Sequence, residues 1–382
     1  MTAAPAGCAS TTTRSRQGTL PRVWRAADAR QLPYGQGGVL DCRVATLVTP
    51  DGPAVRLADG CTKTEEAVNE QFFVRNDRNM PGPERDLVGY GEHLPNVRWP
   101  NDAPVAINVV VNYEEGSEKS YPMGDEQNDF LTEMPSGVTA QRDLAFESQY
   151  EYGSRAGIWR LFRVFDQAGI PATIFTTAVA VERNPAVGRR IAQRGDDIAG
   201  HGYRWSNAYE MTRDEEREAI ARAIQSLTET VGSRPLGWYH REMSVNTREL
   251  IVEESGFIYD SECYNDDLPY WTMVQGTPHL VVPYELVVND VRYVLPQGFG
   301  DPEHFFAMAK ATLDRLRHEG DGASRMMSVG LHPRLSGHPG RAEGLARFID
   351  YAQGTGDIWF ARRIEIAQTF RDQVPAPVQA TA

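Results

Sequence analysis

From about residue 103 onward the chain alternates between two kinds of segment, and this alternation constrains its fold more than any other feature. The run PVAINVVV at 104–111 is apolar and of strand length, the pattern of a strand buried on both faces, as parallel sheets require. Similar strand patterns recur at 172–177, 197–200, 236–239, 257–260, 280–282, 327–331 and 357–360. Helical periodicity lies between most of them, at 156–168, 186–194, 213–231, 247–255, 303–318 and 342–353. Strands alternating with helices predict a parallel sheet under helical cover, and this many units in one run predict a β/α barrel. Thr212 with Glu215 predicts a capping box, and Asn246 predicts a cap before the 247 helix.

The first part of the chain reads differently. Residues 1–31 show no strand or helix period and are expected to be poorly ordered. Short β-prone pieces at 39–44 and 45–57, with the turn dipeptide Asp51-Gly52, predict a small hairpin, and a Pro- and Gly-rich connector spans 80–100. A formal charge of −13, from 39 basic and 52 acidic residues, disfavours nucleic acid and anionic membranes as partners. Cys8, Cys42, Cys61 and Cys263 form no C-x-x-C pair, which argues against a disulfide framework and a cysteine zinc site. No run reaches the ~18 apolar residues of a membrane span, and the start lacks the apolar core of a secretory signal. The expected compartment is the cytosol.

Reactive side chains gather at the C-terminal ends of the expected strands. The first ends in Asn112-Tyr113-Glu114-Glu115, and another in Gly200-His201-Gly202-Tyr203-Arg204-Trp205. The others bring Trp238-Tyr239-His240-Arg241-Glu242, Asp260 with Asp266 to Trp271, and Leu331-His332-Pro333. A parallel barrel delivers all these ends to one face, where such folds build their sites. Each element alone has a bland alternative: paired carboxylates can be a loop feature, a histidine a satisfied core group, and tryptophan or tyrosine rim packing. Together they describe a mouth with a base, two histidines and an aromatic rim. Two adjacent buried acids raise one another's pKa, which suits at least one of them to take a proton near neutral pH.

The spacing His201-x-x-x-Trp205 puts an indole where a second histidine would complete a metal pair. Glu115 and His201 alone fall short of the three protein ligands of catalytic zinc. A hydrolase without metal must activate water with a carboxylate and hold the oxyanion with positioned donors, which is easiest on an activated carbonyl such as a cyclic ureide or imide.

These residues resemble the polysaccharide deacetylase superfamily, carbohydrate esterase family four, and within it the branch of allantoinases that work without metal. The resemblance runs from Arg85-Asp-Leu-Val-Gly-Tyr-Gly91 and Trp99-Pro100 to the C-terminal region. Glu114 and Glu115 stand where the metal-dependent deacetylases carry Asp-Asp, and His201 to Trp205 resembles their His-x-x-x-His motif with the second ligand lost. Arg234 to Tyr239 resembles the third motif, Asp260 with Asp266 to Trp271 the fourth, and Ser328 to His332 the fifth. The resemblance implies a distorted (β/α) barrel of about seven parallel strands over 85–382, with an irregular extension at 1–84, and a homo-oligomer. It implies Glu114 as the water-activating base and His332 as the acid that protonates the leaving nitrogen. Glu115 and His201 would orient substrate or water, and Asp260 and Trp271 would support the pocket wall. Trp205, Tyr239, His240, Arg241 and Glu242 are the remaining candidate substrate contacts.

One departure bears on substrate. The allantoinase branch continues Thr-Gly-Arg-Thr-Gly-Pro-Asn-Thr after the Trp-Tyr pair, whereas this chain has His240-Arg241-Glu242-Met243-Ser244-Val245-Asn246-Thr247. An anion at Glu242 facing the mouth would reverse the local charge. That weighs against allantoin and makes a related cyclic amide, imide or N-acyl compound a rival. The leading expectation is a hydrolase that opens a cyclic amide or ureide and has no cofactor or tightly bound metal. One alternative is a zinc-dependent deacetylase of a small N-acyl substrate, with a third ligand from Asp125, His240 or His304. Another is a silent barrel that only binds a small molecule.

Overall fold

The apolar run at 104–111 becomes a strand that is paired on both sides and buried along its whole length. The structure, a computed structural model, describes residues 47–49, 52–54, 81–133, 138, 140–319 and 324–377. In the first of these pieces β1 (Leu47–Thr49) and β2 (Gly52–Ala54) pair antiparallel, with Thr49 opposite Gly52, where the hairpin is expected. The expectations for 1–31 and 39–44 fall outside the described residues.

The main sheet comprises β3 (Val105–Tyr113), β4 (Thr173–Thr176), β5 (Asp197–Gly200), β6 (Gly237–Trp238), β7 (Tyr259–Asp260), β8 (Tyr270–Val274), β9 (Thr277–Val281), β10 (Arg325–Leu331) and β11 (Ile358–Phe360). All nine residues of β3 are buried. On one side β3 pairs with β10 along 105–111, and on the other it pairs first with β11 and then with β4. The order continues through β5, β6, β7 and β9 to β8, and of these nine strands only β8 runs antiparallel. The expected barrel is therefore an open, mostly parallel half-barrel.

The ends of the sheet meet without a ladder. Met326 donates its N–H to Asp267 O, and Gly330 donates to Val288 O, so loops rather than a strand close the gap. The antiparallel β8 was not expected, because 266–271 reads as a loop motif. It is turned back onto β9 by Gln275 and Gly276, both at positive φ, the turn geometry that favours a two-residue hairpin.

Helices Ile158–Ala168, Pro185–Arg194, Arg213–Val231, Thr247–Glu254, Pro302–His318 and Pro339–Gly354 cover the sheet close to their expected positions. The capping box at Thr212 is formed, with Thr212 N donating to Glu215 Oε2. Asn246 makes no side-chain cap; Ser244 N donates instead to Thr247 Oγ1. No described helix is long and apolar enough to cross a membrane.

Alternation along β3 assigns its residues to two environments. Val105, Ile107, Val109, Val111 and Tyr113 pack in the large cluster with residues of the outer helices, including Ile158, Leu161 and Phe162. Val110 belongs instead to an interior cluster with Phe175, Tyr239 and Tyr284. Asn108 and Asn112, of the same parity as Val110, are buried polar groups on that interior face. Asn112 donates to Tyr284 Oη and Leu331 O, whereas Asn108 is met by Arg363, at the start of the C-terminal helix Arg363–Gln373. Its fully buried guanidinium donates to Ser261 Oγ at 2.7 Å, Asn108 Oδ1 at 2.8 Å, Ser328 Oγ at 3.1 Å and the carbonyls of Val282 and Pro283. Arg363→Leu would leave these acceptors unpaired in the barrel, and a buried unpaired polar group costs about 1–3 kcal/mol. The expected result is a loss of at least ~3 kcal/mol in urea unfolding with an unchanged m value. A loss below ~1 kcal/mol would show that the interior can rehydrate or repack around the deletion.

Candidate active site

The same alternation continues past the end of β3 and separates the two glutamates. Glu114 has the parity of the interior residues and faces the mouth. Glu115 has the parity of Tyr113 and faces the outer layer, where Gly153 and Gly157 bring the helix chain very close. A Cβ at Gly153 would lie 2.3 Å from Glu115 Oε1, and one at Gly157 would lie 2.1 Å from Pro333 O. These two glycines bound a π-helical turn, Gly153–Gly157, that joins helix Leu144–Tyr152 to helix Ile158–Ala168. The Leu144 helix was not expected, because glycines lower helix propensity and their value here lies in close packing.

Glu114 is buried and saturated with partners. Its Oε2 accepts from Arg334 Nη1 at 2.7 Å, and its Oε1 lies 3.1 Å from His201 Nε2 and 3.7 Å from His332 Nε2. Burial opposes its charge, yet Arg334, then His332 and His201, hold the carboxyl down at about 2. Glu115 is the opposite case. It accepts from the N–H of Glu114 and the N–H of Arg334, both at 3.1 Å. Burial, helped by the charge on Glu114, pushes it up to about 8 against the pull of Arg334. The adjacent carboxylates are thus split, one ionised and one protonated at neutral pH.

That split carries a stability sign. A carboxyl raised from 4.5 to about 8 is protonated in the fold at pH values where the unfolded chain has lost the proton. Its contribution is therefore greatest below pH 4.5 and is lost as the pH rises toward 8. Glu115→Gln cannot ionise, so its stability relative to wild type is expected to climb between pH 4.5 and 8. Urea midpoints across that range check this; a constant difference would mean that Glu115 titrates normally.

Each histidine is oriented by its second nitrogen. His201 Nδ1 faces the Tyr239 carbonyl at 2.9 Å and therefore carries hydrogen, and its ring stacks on Tyr239 at 5.1 Å. His332 Nδ1 faces Asp290 Oδ1 at 2.6 Å, while Asp290 Oδ2 accepts the N–H groups of His332 at 2.7 Å and Ser336 at 3.1 Å. Asp290 is fully buried and fixes His332 so that Nε2 points toward Glu114.

Trp205 lies between two guanidinium groups, Arg241 at 3.8 Å and Arg334 at 5.0 Å from its ring. Arg334 also meets the neighbouring Tyr150 ring at 4.5 Å, the two aromatic rings lying 6.2 Å apart. Arg241 is committed to Asp129, and Arg334 Nε donates to Leu131 O at 3.2 Å, so residues 129–131 lie over the mouth. A cavity of about 350 Å³ reaches Glu115, lined also by Glu118, Tyr150 and Ser154.

The remaining expected contacts are placed elsewhere. Glu242 is exposed, and its main-chain oxygen accepts from the Ala208 N–H. Glu242→Gln is accordingly expected to leave kcat/KM within about twofold; a larger change in steady-state assays would return this residue to the site. Asp260 is locked beneath the mouth by Arg248 at 2.7 Å and His279 at 3.0 Å. Trp271 packs with Tyr259 and Leu280, donates to Val374 O, and lines a separate open groove of about 1070 Å³ with Tyr90 and Tyr264. His240 is buried against Trp238, and burial holds its imidazole down to about 3. Asp290, Arg334 and Tyr150 complete the site and were not anticipated. Asp290 follows no expected strand end, whereas Arg334 stood two residues beyond His332 and was open to notice.

The residues do not fit a bound divalent metal. Arg334 Nη1 sits 2.7 Å from Glu114 and 4.0 Å from Glu115, so a fixed cation already stands between the carboxylates. Asp125 is paired with Arg204 at 2.6 Å, and His304 is exposed on the first turn of helix Pro302–His318. Among the described residues no three His, Cys, Asp or Glu side chains could hold a metal ion.

The profile of the family described as Polysaccharide deacetylase matches residues 144–252. A putative polysaccharide deacetylase of Schizosaccharomyces pombe is 36% identical over 313 residues, covering 76% of this chain and 98% of the relative. The crystal structure of a probable polysaccharide deacetylase from Pseudomonas aeruginosa PAO1 is 47% identical with a TM-score of 0.73, covering 76% of this chain and 99% of that one. The crystal structure of the PuuE allantoinase is 46% identical with a TM-score of 0.74, covering 76% of this chain and 98% of that one.

Proposed function

This chain belongs to the polysaccharide deacetylase family and is a hydrolase of carbon–nitrogen bonds, and on that premise we propose that it opens a cyclic amide or ureide without a tightly bound metal. One observation carries the reading. A single oxygen, Glu114 Oε1, lies 3.1 Å from His201 Nε2 and 3.7 Å from His332 Nε2, with Arg334 on the other oxygen of the same carboxylate. Base and acid are therefore adjacent, and the cation that keeps the base ionised is part of the chain.

In the proposed reaction Glu114 takes a proton from water as the water oxygen bonds to the ring carbonyl carbon. Collapse of the tetrahedral intermediate breaks the C–N bond, and the leaving nitrogen takes the proton of His332 Nε2. The proton on Glu114 then returns to His332, so that water is consumed and both groups are reset. Asp290 stabilises the imidazolium and its orientation through these steps.

A panel of allantoin, hydantoin, dihydrouracil, succinimide and N-acetylglucosamine tests the reading with protein kept in chelator. Ring opening of at least one cyclic member is the expected outcome. Turnover confined to N-acetylglucosamine and dependent on added zinc would replace it with the deacetylase alternative.

A further inference from the structure

Arg334 Nη1 pairs with Glu114 and Nε with Leu131 O, but Nη2, fully buried, has no hydrogen-bond partner among the described residues. Buried donors are seldom left unpaired, because a group taken out of water without a partner is destabilising. This donor is also held in place, since the guanidinium is tied at Nη1 and Nε and packs against the neighbouring rings of Tyr150 and Trp205. It belongs to the same guanidinium that holds the base.

We propose that Arg334 is the electrophilic catalytic residue of this site, with Nη2–H donating to the substrate carbonyl oxygen and to the oxyanion formed from it. This inference rests on the ring-opening reading above and assigns the one role that reading left empty. As the water oxygen bonds to carbon, the carbonyl π pair moves onto oxygen, and the new negative charge forms against a fixed, buried cation. When the C–N bond breaks, that pair returns to re-form the C=O bond and the leaving nitrogen takes its proton from His332. Arg334 gains and loses no proton. One side chain thereby does two things often given to a metal ion: it keeps the base ionised and it polarises the carbonyl. The planar fork makes this possible, because Nη1 and Nη2 can serve two acceptors at once, whereas a lysine ammonium is a point charge.

Kinetics and structure test the proposal separately. With the best cyclic substrate of the panel, Arg334→Lys is expected to lower kcat by about 10²–10³-fold, with a change in KM below roughly fivefold. Arg334→Ala is expected to recover at least about tenfold when guanidinium is added, as the lost donor fork is replaced. If Arg334 only tethered Glu114, lysine would restore kcat to within about threefold while the acid limb of the pH profile moved, and that result would overturn the proposal.

The second measurement is a crystal structure of the full-length Glu114→Gln protein with hydantoin, in which the substituted amide keeps an acceptor for Nη1. A carbonyl oxygen on Arg334 Nη2 is the expected result. Hydantoin that is unbound, or bound with both carbonyls elsewhere, overturns the proposal even if the Arg334 variants fail to fold. If the wild type opens no ring in the panel while hydantoin still sits on Nη2, the ring-opening reading fails and the assignment of the donor stands.

Discussion

Replacing Glu114 with glutamine is expected to lower kcat on a cyclic amide by about 10³-fold or more, with a smaller change in KM. Glutamine keeps the shape of the side chain and one acceptor for Arg334 but cannot take a proton from water. The deficit therefore falls on the chemical step. Charge balance in the buried site is not lost with it, because Glu115 stands 4.0 Å from the same guanidinium and is held neutral in part by the charge on Glu114. Removing that charge lets Glu115 ionise at lower pH and neutralise Arg334. The variant should accordingly fold, and thermal unfolding beside the kinetic assay checks this. Retention of more than about a tenth of wild-type kcat by a folded variant would rule out Glu114 as the base.

The second large effect is expected at Asp290. Its two oxygens receive three donors, His332 Nδ1 and the N–H groups of His332 and Ser336. Asparagine offers one oxygen and one NH₂ group, so either the N–H groups of His332 and Ser336 lose their acceptor or His332 Nδ1 has to give up its hydrogen and accept from the NH₂. Asp290→Asn should disturb the orientation of His332 and remove the anion that stabilises its imidazolium. A fall in kcat of about 10²–10⁴-fold is expected. Because Asp290 acts through His332, the two losses should not add. In a His332→Ala background the Asp290 change should cost less than about threefold further. Fully additive losses in the double-mutant cycle would mean that Asp290 serves the fold rather than the histidine.

The barrel was legible because parallel strands write themselves plainly: a strand buried on both faces is an apolar run, and 104–111 is one. β8 was not, because its side chains are mostly half-buried on an edge and its sequence, Tyr270-Trp-Thr-Met-Val274, reads equally as loop. Glu114, Glu115, His201 and His332 could be found from their places at strand ends, and the structure sets both histidines beside Glu114, with Glu115 turned to the outer layer. Their division of labour could not be found that way, since it depends on which side of β3 each glutamate faces and on Arg334, which approaches from a different strand end. Glu242 shows the converse hazard. A charge reversal is conspicuous in a sequence, but only the path of the 240–247 loop reveals that this one points to solvent. Arg363 was invisible for a related reason, because an Arg362-Arg363 pair at the start of the last helix resembles many surface arginines until the interior acceptors around Arg363 are seen.

The central claim is that cations of the chain itself, above all Arg334, do what a metal would otherwise do in this barrel. The most direct test is to purify the protein in chelator, measure bound zinc per chain by elemental analysis, and follow ring opening of the best cyclic substrate in the same samples. Full turnover in samples with far less than one metal ion per chain, unchanged by added zinc, is the predicted result. Turnover that rises in proportion to bound zinc and vanishes on its removal would contradict the account.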